Sequence, residues 1–354
     1  RQRQMCIRDR MYEANFPDDP AQRYRVADIH DLSGDDVPTV ALATASFPCT
    51  DLSLAGARNG LAGKQSGALF GFLRILGEMA ERRPPIVMLE NVPGLVSSHK
   101  GEDFHRTLLE LNKLGYAVDA FLLDAVAFVP QSRPRLFVIG VKDEIGETTP
   151  REDILTAESP ARPKELRERM VSYSDVRWHI ARVPVPRVRK SALADVLEDL
   201  PRDAAQWWRQ ERVDYLLSQM SEKHRQLAQE MIDSPSYKYG TVFRRMRRGR
   251  SMAELRTDGV AGCLRAPRGG SSRQILVKAG KGKCFARLLT PREYARLQGV
   301  PDSYKIDVPQ NQAFFGFGDA VCVPIIEWIA KHYLNPLVNR LLRGRVFAPT
   351  GTSK

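Results

Sequence analysis

Between Val26 and Val141, short β-branched or apolar runs alternate with longer amphipathic ones, the pattern required by a parallel α/β sheet with crossover helices. The runs Val40–Ala45 and Ile86–Leu89 are expected as buried strands. Between them Leu69, Phe72, Leu73, Leu76 and Met79 or Ala80 recur at helical spacing, so a helix over Ala68–Arg82 lays one apolar stripe on the sheet and completes a βαβ crossover. A second helix over Glu102–Leu114 leads to a strand at Ala117–Leu123, and Arg135–Val141 is expected as a further strand near the sheet edge.

Beyond Val141 the character changes. Lys142–Arg169 is charged and contains prolines, and Val183–Arg189 adds two more, as linkers and surface loops do, so a domain boundary is placed here. Ala204–Gln219 and Glu222–Ile232 have helical patterning, and the basic segment Arg244–Arg250 reads as a loop. Trp207 and Trp208 are expected in the core. A sharper signal follows: Thr290 as N-cap, Pro291 in the first turn, Glu293 closing a capping box, and Gly299 past the end with Pro301 beyond. The last helix is expected over Val323–Tyr333, after a loop at Gly316–Val321.

Composition narrows the function. The 354 residues suffice for one large domain and a smaller one. With 54 Lys+Arg against 42 Asp+Glu the net charge is +12, which favours a polyanionic partner through phosphate neutralisation. No apolar run of membrane-spanning length and no signal-peptide pattern is read in the sequence, so a cytoplasmic protein with no membrane partner is expected. The five cysteines (Cys6, Cys49, Cys263, Cys284, Cys322) are widely spread, without a C-x-x-C pair or clustered histidines, and no metal site is expected.

Two of the expected strands run into reactive residues: Phe47-Pro48-Cys49-Thr50-Asp51-Leu52-Ser53 after the first and Glu90-Asn91-Val92-Pro93 after the second. Ligands of open α/β sheets bind beyond the carboxyl ends of the strands, where Cys49 and Glu90 can meet. Gln131-Ser132-Arg133-Pro134-Arg135 stands just before the next strand and brings two guanidinium groups to the same rim. A cysteine hydrolase is disfavoured because no matching histidine partner accompanies Cys49.

These residues, in this order, resemble the DNA (cytosine-5) methyltransferase family, bacterial or phage type. The P-C loop, the E-N-V motif, the Q-x-R-x-R motif, the segment Arg287–Gly299 (R-x-L-T-x-R-E-x-A-R-L-Q-G) and the Gly318-Asp319-Ala320-Val321 motif carry the resemblance, which runs from about Asn15 to Tyr333. It implies a Rossmann-like α/β, S-adenosylmethionine-dependent methyltransferase domain with a smaller target-recognition domain. The expected division is a leader at 1–10, a catalytic domain at 11–143, a target-recognition domain at 144–308, a segment returning to the catalytic domain at 309–342, and a tail at 343–354.

The resemblance further implies that Cys49 adds as a thiolate to C6 of a flipped-out cytosine, with Arg133 and Arg135 as the charge that favours the thiolate and Glu90 on the base edge. It assigns Asp28, Ile29, Pro48, Leu69, Asp319, Ala320 and Val321 to the S-adenosylmethionine site; Asp319 departs from the family's usual Asn. Ser53, Arg244, Arg245, Arg247, Arg248, Arg265, Arg268, Gly269, Gly270 and Arg273 are assigned to duplex DNA. The family's F-x-G-x-G-G loop would precede Asn15 and is absent, and Arg1–Arg10 resembles nothing in the family and reads as a foreign leader. A monomer is expected, with a cognate restriction endonuclease as its functional companion. The alternatives are a transfer-RNA cytosine-5 methyltransferase and an inactive DNA-binding homologue.

Overall fold

In the computed structural model the described residues are 10–17, 25, 27–47, 67–142, 155–189, 191–247, 249–267 and 273–340. The chain divides into two compact units, one made of Ala27–Leu123, Pro134–Val185 and Trp328–Lys354, the other of Arg1–Val26, Asp124–Arg133 and Pro186–Glu327. Residues 155–185 lie in the first and 309–327 in the second.

The first unit is built on β1 (Leu42–Ser46), α1 (Gly67–Glu78), β2 (Ile86–Asn91), α2 (Glu102–Lys113), β3 (Tyr116–Asp124) and β4 (Pro134–Lys142), with α3 (Lys164–Ser172) following. β1 and β2 pair in parallel, with Leu42 opposite Ile86 and Ser46 opposite Glu90, as a βαβ unit requires. The helical stripe on α1 is real: Leu69, Leu73 and Leu76 are buried, as is Met79 just beyond, and Leu69 and Leu76 are each only 1% exposed. Val87 and Leu89 of β2 and Phe104, Leu108 and Leu111 of α2 join the same core.

Two expectations need correction here. β4 is not at the edge: the strand order is β1-β2-β4-β3, so β4 lies between β2 and β3. It runs antiparallel to β2, with Ile86 opposite Val141 and Asn91 opposite Leu136, and the described sheet is therefore mixed. The physical reason is visible in β4 itself, where six consecutive residues, Leu136–Val141, are buried and only an interior strand can hide both faces.

Residues 155–185 are tied to this unit by a buried ionic knot. Arg162 donates to both oxygens of Asp119 at 2.8 Å and to Ala181 O, while the Tyr333 hydroxyl donates to Asp119 Oδ2 at 2.7 Å. Burial, with the Asp119 charge beside it, pushes the Tyr333 hydroxyl well above its ordinary value, so it stays protonated and can donate.

The second unit holds α4 (Gln210–Ser218), α5 (Glu222–Ile232), an antiparallel sheet of β5 (Lys238–Arg247), β6 (Arg250–Arg256), β7 (Ile275–Gly280) and β8 (Lys283–Leu288), then α6 (Pro291–Leu297) and α7 (Gln310–Asp319). The sheet order is β6-β5-β7-β8. α5 has the predicted limits, whereas the helix expected over Ala204–Gln219 begins only at Gln210. Trp207 and Trp208 are half-buried and pack against two different apolar clusters.

Arg244–Arg250 is not a loop. Arg244–Arg247 completes β5, and Gly249, at φ +75°, turns the chain into β6. The run is held extended by cross-strand pairing with β6, where Arg245 and Arg247 both reach Glu254. The capping box at Thr290 forms as predicted: Thr290 Oγ1 accepts from Glu293 N and Glu293 accepts from Thr290 N. Gly299 stands at φ +74°, a left-handed position that favours glycine. The segment Gly316–Asp319 is helical, the end of α7, rather than a loop.

α8 (Val323–Ile329) continues into a π-helical turn at Ala330–Leu334. The helical stretch Gln310–Arg340 is long and apolar enough to pass for a membrane span, contrary to the reading of the sequence. Its helical pattern breaks at residues 320–322, and Phe314, Phe317, Ile325, Ile329, Tyr333 and Leu337 are buried in protein.

Candidate active site

The first unit collects one part of the predicted site at the carboxyl end of its parallel strand pair. Register alone puts Ser46, the last residue of β1, opposite Glu90 near the end of β2. Buried Asn91 then links the loops that follow: its Nδ2 donates to Phe47 O at 3.4 Å and its Oδ1 accepts from Val92 N at 2.8 Å. Asn91 stands in the E-N-V motif without a role of its own; the signal for one is a polar amide beside Glu90 at the end of an otherwise apolar strand.

Pro48, Cys49 and Ser53 lie outside the described residues. What is fixed is the chain leading to them, which arrives beside Glu90.

Arg135 meets Glu90. Its Nε lies 2.8 Å from Glu90 Oε1, and the side chains are 13% and 12% exposed. The antiparallel register of β2 and β4 causes this, since Glu90 faces Phe137 and Asn91 faces Leu136, so the start of β4 lies alongside the end of β2.

The two arginines fall in different units. Arg133 belongs to the second unit and is 3% exposed. Its guanidinium donates to Leu264 O at 2.9 Å and to Ala320 O at 2.7 Å, with a longer contact to Gly318 O. Alternation along an extended chain sends neighbours i and i+2 to one side only while the strand is regular, and Arg133 precedes β4. Its surroundings make it an anchor for the Gly318–Ala320 backbone.

Two glutamines extend that anchor. Gln131 Nε2 donates to Leu297 O at 2.6 Å and its Oε1 accepts from Leu264 N, while Gln298 Nε2 donates to Phe317 O at 2.6 Å. Both are fully buried. Both stand in motifs of the sequence without a role of their own, because their partners are backbone groups far away in the chain.

Of the residues assigned to the cofactor, Asp28 and Ile29 form a short turn packed on α1. Asp28 Oδ1 accepts from His30 N at 3.1 Å, and Ile29 leans on Gly71, where an added Cβ would lie 2.9 Å from it. Asp28 is exposed and Ile29 half-exposed, so a carboxylate sits beside an apolar surface. Leu69 is core-buried at 1% exposure and faces away from solvent. In the second unit Asp319 is exposed at the end of α7, with Ala320 and Val321 half-buried.

Gly318 has a specific steric role. A Cβ there would lie 2.4 Å from Ala266 N and from Arg265 C, both backbone atoms that cannot rotate away. Gly318→Ala is expected to destabilise the protein by about 1–3 kcal/mol and to displace the Arg265 segment. Thermal denaturation checks the first effect, and an unchanged midpoint would contradict the contact.

The basic residues assigned to DNA are partly assembled in the second unit. The Arg245 and Arg265 guanidinium carbons lie 5.4 and 5.1 Å from the ring of Phe243, so one aromatic residue joins the β5–β6 hairpin to the segment following Leu264. Arg244 is half-buried, and Arg273 lies over Phe314 at 5.7 Å. Arg248, Arg268, Gly269 and Gly270 are outside the described residues.

Among the described cysteines, burial pushes the thiols of Cys284 and Cys322 up to about 11 each. At neutral pH both are protonated and poor nucleophiles. No cluster of metal-ligating side chains is present among the described residues.

The chain is similar to known methyltransferases. The Type II methyltransferase M.DsaV of Dactylococcopsis salina is 29% identical over 330 residues, covering 92% of this chain and 76% of that protein. The Type II methyltransferase M.HhaI of Haemophilus parahaemolyticus is 26% identical over 325 residues, covering 90% and 82%. Among solved structures, the Entamoeba histolytica methyltransferase EhMeth aligns with a TM-score of 0.57 at 13% identity, covering 94% of this chain and 88% of that one. The S. pombe Dnmt2 methyltransferase aligns at 0.52 and 17% identity, covering 92% and 87%, and these two similarities show the shared fold. The profile of the C-5 cytosine-specific DNA methylase family matches residues 8–335, and the chain belongs to that family.

Proposed function

We propose that Cys49 is the nucleophile with which this enzyme methylates C5 of cytosine in DNA, using S-adenosylmethionine as donor. One observation carries the assignment: the β1–β2 register delivers the chain leading to Cys49 to the side of Glu90. Cytosine C5 is a weak nucleophile. Addition of the Cys49 thiolate to C6 pushes electron density onto C5, which then takes the methyl group; loss of the C5 proton to a base or water lets Cys49 leave. The donor supplies an electrophilic methyl on a sulfonium.

Glu90 orients the base. Arg135 pairs with Glu90 Oε1; the carboxyl group accepts from the exocyclic amine of cytosine and, when protonated, donates to N3 as C6 is attacked. The Arg135 ion pair fixes the carboxylate before substrate arrives, which is a positioning role. The exposed carboxylate of Asp28 beside Ile29 suits a purine with its exocyclic amine. Reaching C5 requires the nucleotide to leave the stack, at a cost of a few kcal/mol, roughly. Arg245, Arg247 and Arg265 supply the phosphate or base contacts in this reading, supported by the clustering of Arg245 and Arg265 over Phe243.

The relatives named above are bacterial Type II methyltransferases, and this reading carries with it a cytoplasmic setting and a cognate endonuclease acting on the same sequence. The deciding test is transfer of label from radioactive S-adenosylmethionine to duplex DNA and, in parallel, to transfer RNA. Label recovered as 5-methylcytosine in DNA supports the reading, and label confined to RNA overturns it. Glu90→Gln is expected to lower turnover on the order of a hundredfold with little change in cofactor affinity. Single-turnover kinetics would show this, and an unchanged rate would remove Glu90 from the mechanism.

A further inference from the structure

The sheet of the second unit has two differently covered faces. Val242, Ile275, Val277, Ala279, Cys284 and Ala286 face an apolar cluster that also contains helices α4 and α5. On the other face, the end near the β7–β8 turn is half-exposed and carries Tyr237, Tyr239, Lys278 and Phe285. Cross-strand register places Tyr239 opposite Lys278 and Lys278 opposite Phe285.

Three cations converge on one ring there. Lys278 Nζ, Lys281 Nζ and the Arg202 guanidinium carbon lie 5.2, 5.7 and 6.0 Å from the centroid of Tyr237, and Lys278 Nζ is also 5.7 Å from Tyr239. None of the three has a carboxylate within ion-pair distance among the described residues. Like charges brought this close are tolerated because the negative faces of the aromatic rings attract each of them. Lys281 is held by its backbone: it and Gly282, at φ +55° and +74°, form the two-residue β7–β8 turn, and Lys281 N donates to Ser234 O at 2.7 Å.

We propose that this aromatic–cationic platform is a second DNA-contacting surface, which binds phosphates of the duplex flanking the target sequence. The proposal rests on the DNA reading above. Cations already cover the tyrosine rings, so what the platform presents is preorganised positive charge. Its distance from the β5–β6 hairpin also fits a duplex. From Tyr237 to Phe243, which carries Arg245 and Arg265, is roughly 20 Å at strand rise, and from Tyr237 to Arg247 roughly 33 Å, so a duplex with a turn of about 34 Å can span both patches.

The test compares the wild-type chain with Arg202→Gln/Lys278→Gln/Lys281→Gln on duplexes of about 12 and about 30 base pairs centred on the target. Binding is measured across a salt series, and thermal midpoints verify folding. On the longer duplex the triple variant is expected to bind on the order of tenfold more weakly at near-physiological salt. Its log K against log salt slope should fall by about 2–3, while the short duplex is bound as before. Equal weakening on both lengths would reduce the effect to overall charge and overturn the proposal, as would no weakening on either. Weakening confined to single-stranded DNA of the same length would make it a base-stacking surface and also overturn it. Should the triple variant unfold, Arg202→Gln/Lys281→Gln, which changes only exposed side chains, is read by the same criteria with a slope change of about 2. If the wild type binds neither duplex, the DNA reading itself fails, a result distinct from a failure of the platform alone.

Discussion

Cys49→Ala is expected to abolish methyl transfer, a loss on the order of 10⁴-fold or more, while DNA binding stays within a few-fold of wild type. The size follows from the chemistry: without a thiolate at C6 there is no enamine-like intermediate, and C5 stays too weak a nucleophile for the donor. Of the other described cysteines, burial holds Cys284 and Cys322 as thiols, and Cys263 Sγ is engaged with Leu264 O and Arg133. A second measurement isolates the covalent step. A duplex with 5-fluorocytosine at the target offers no C5 proton to lose, so wild-type protein should remain covalently attached to it on a denaturing gel, and Cys49→Ala should not. Normal turnover by the variant would remove the proposed nucleophile.

Glu293→Ala is expected to destabilise the protein by about 3–5 kcal/mol, a fall in Tm on the order of 10 °C. Glu293 is fully buried and faces Arg287, which is 1% exposed. Its two oxygens accept from Arg287 at 2.7 and 2.5 Å and from the backbone N–H groups of Thr290 and Glu198 at 2.8 and 2.9 Å. Removing the carboxylate leaves a buried guanidinium and two backbone donors without their acceptor, and the unpaired charge dominates the cost. The double change Arg287→Met/Glu293→Leu removes both charges and should recover much of the loss. A single-variant shift of under about 2 °C would mean that the pair is far weaker than its geometry implies. The Arg287–Glu293 pair thus acts through stability, and its variants should lose activity only as they unfold.

Much of the site could be read as chemistry without geometry. Cys49, Glu90 and the arginines stood out because each followed an apolar strand or preceded one. The different surroundings of Arg133 and Arg135, backbone carbonyls for one and Glu90 for the other, could not be read, because the two are equivalent in the sequence. Gln131, Gln298 and Asn91 escaped for the same reason, since a buried amide looks like any polar residue until its carbonyl partners are known.

By itself the sequence determined the α/β alternation, the stripe of α1, the limits of α5 and the capping box at Thr290, all set by interactions within a few residues along the chain. Only the tertiary structure decided that β4 lies inside the sheet and runs antiparallel to β2, that the basic run Arg244–Arg247 is a strand, and that Gly316–Asp319 is helical. Strand pairing joins residues that are tens of positions apart, and a side chain's burial depends on what packs over it. Local periodicity carries neither piece of information.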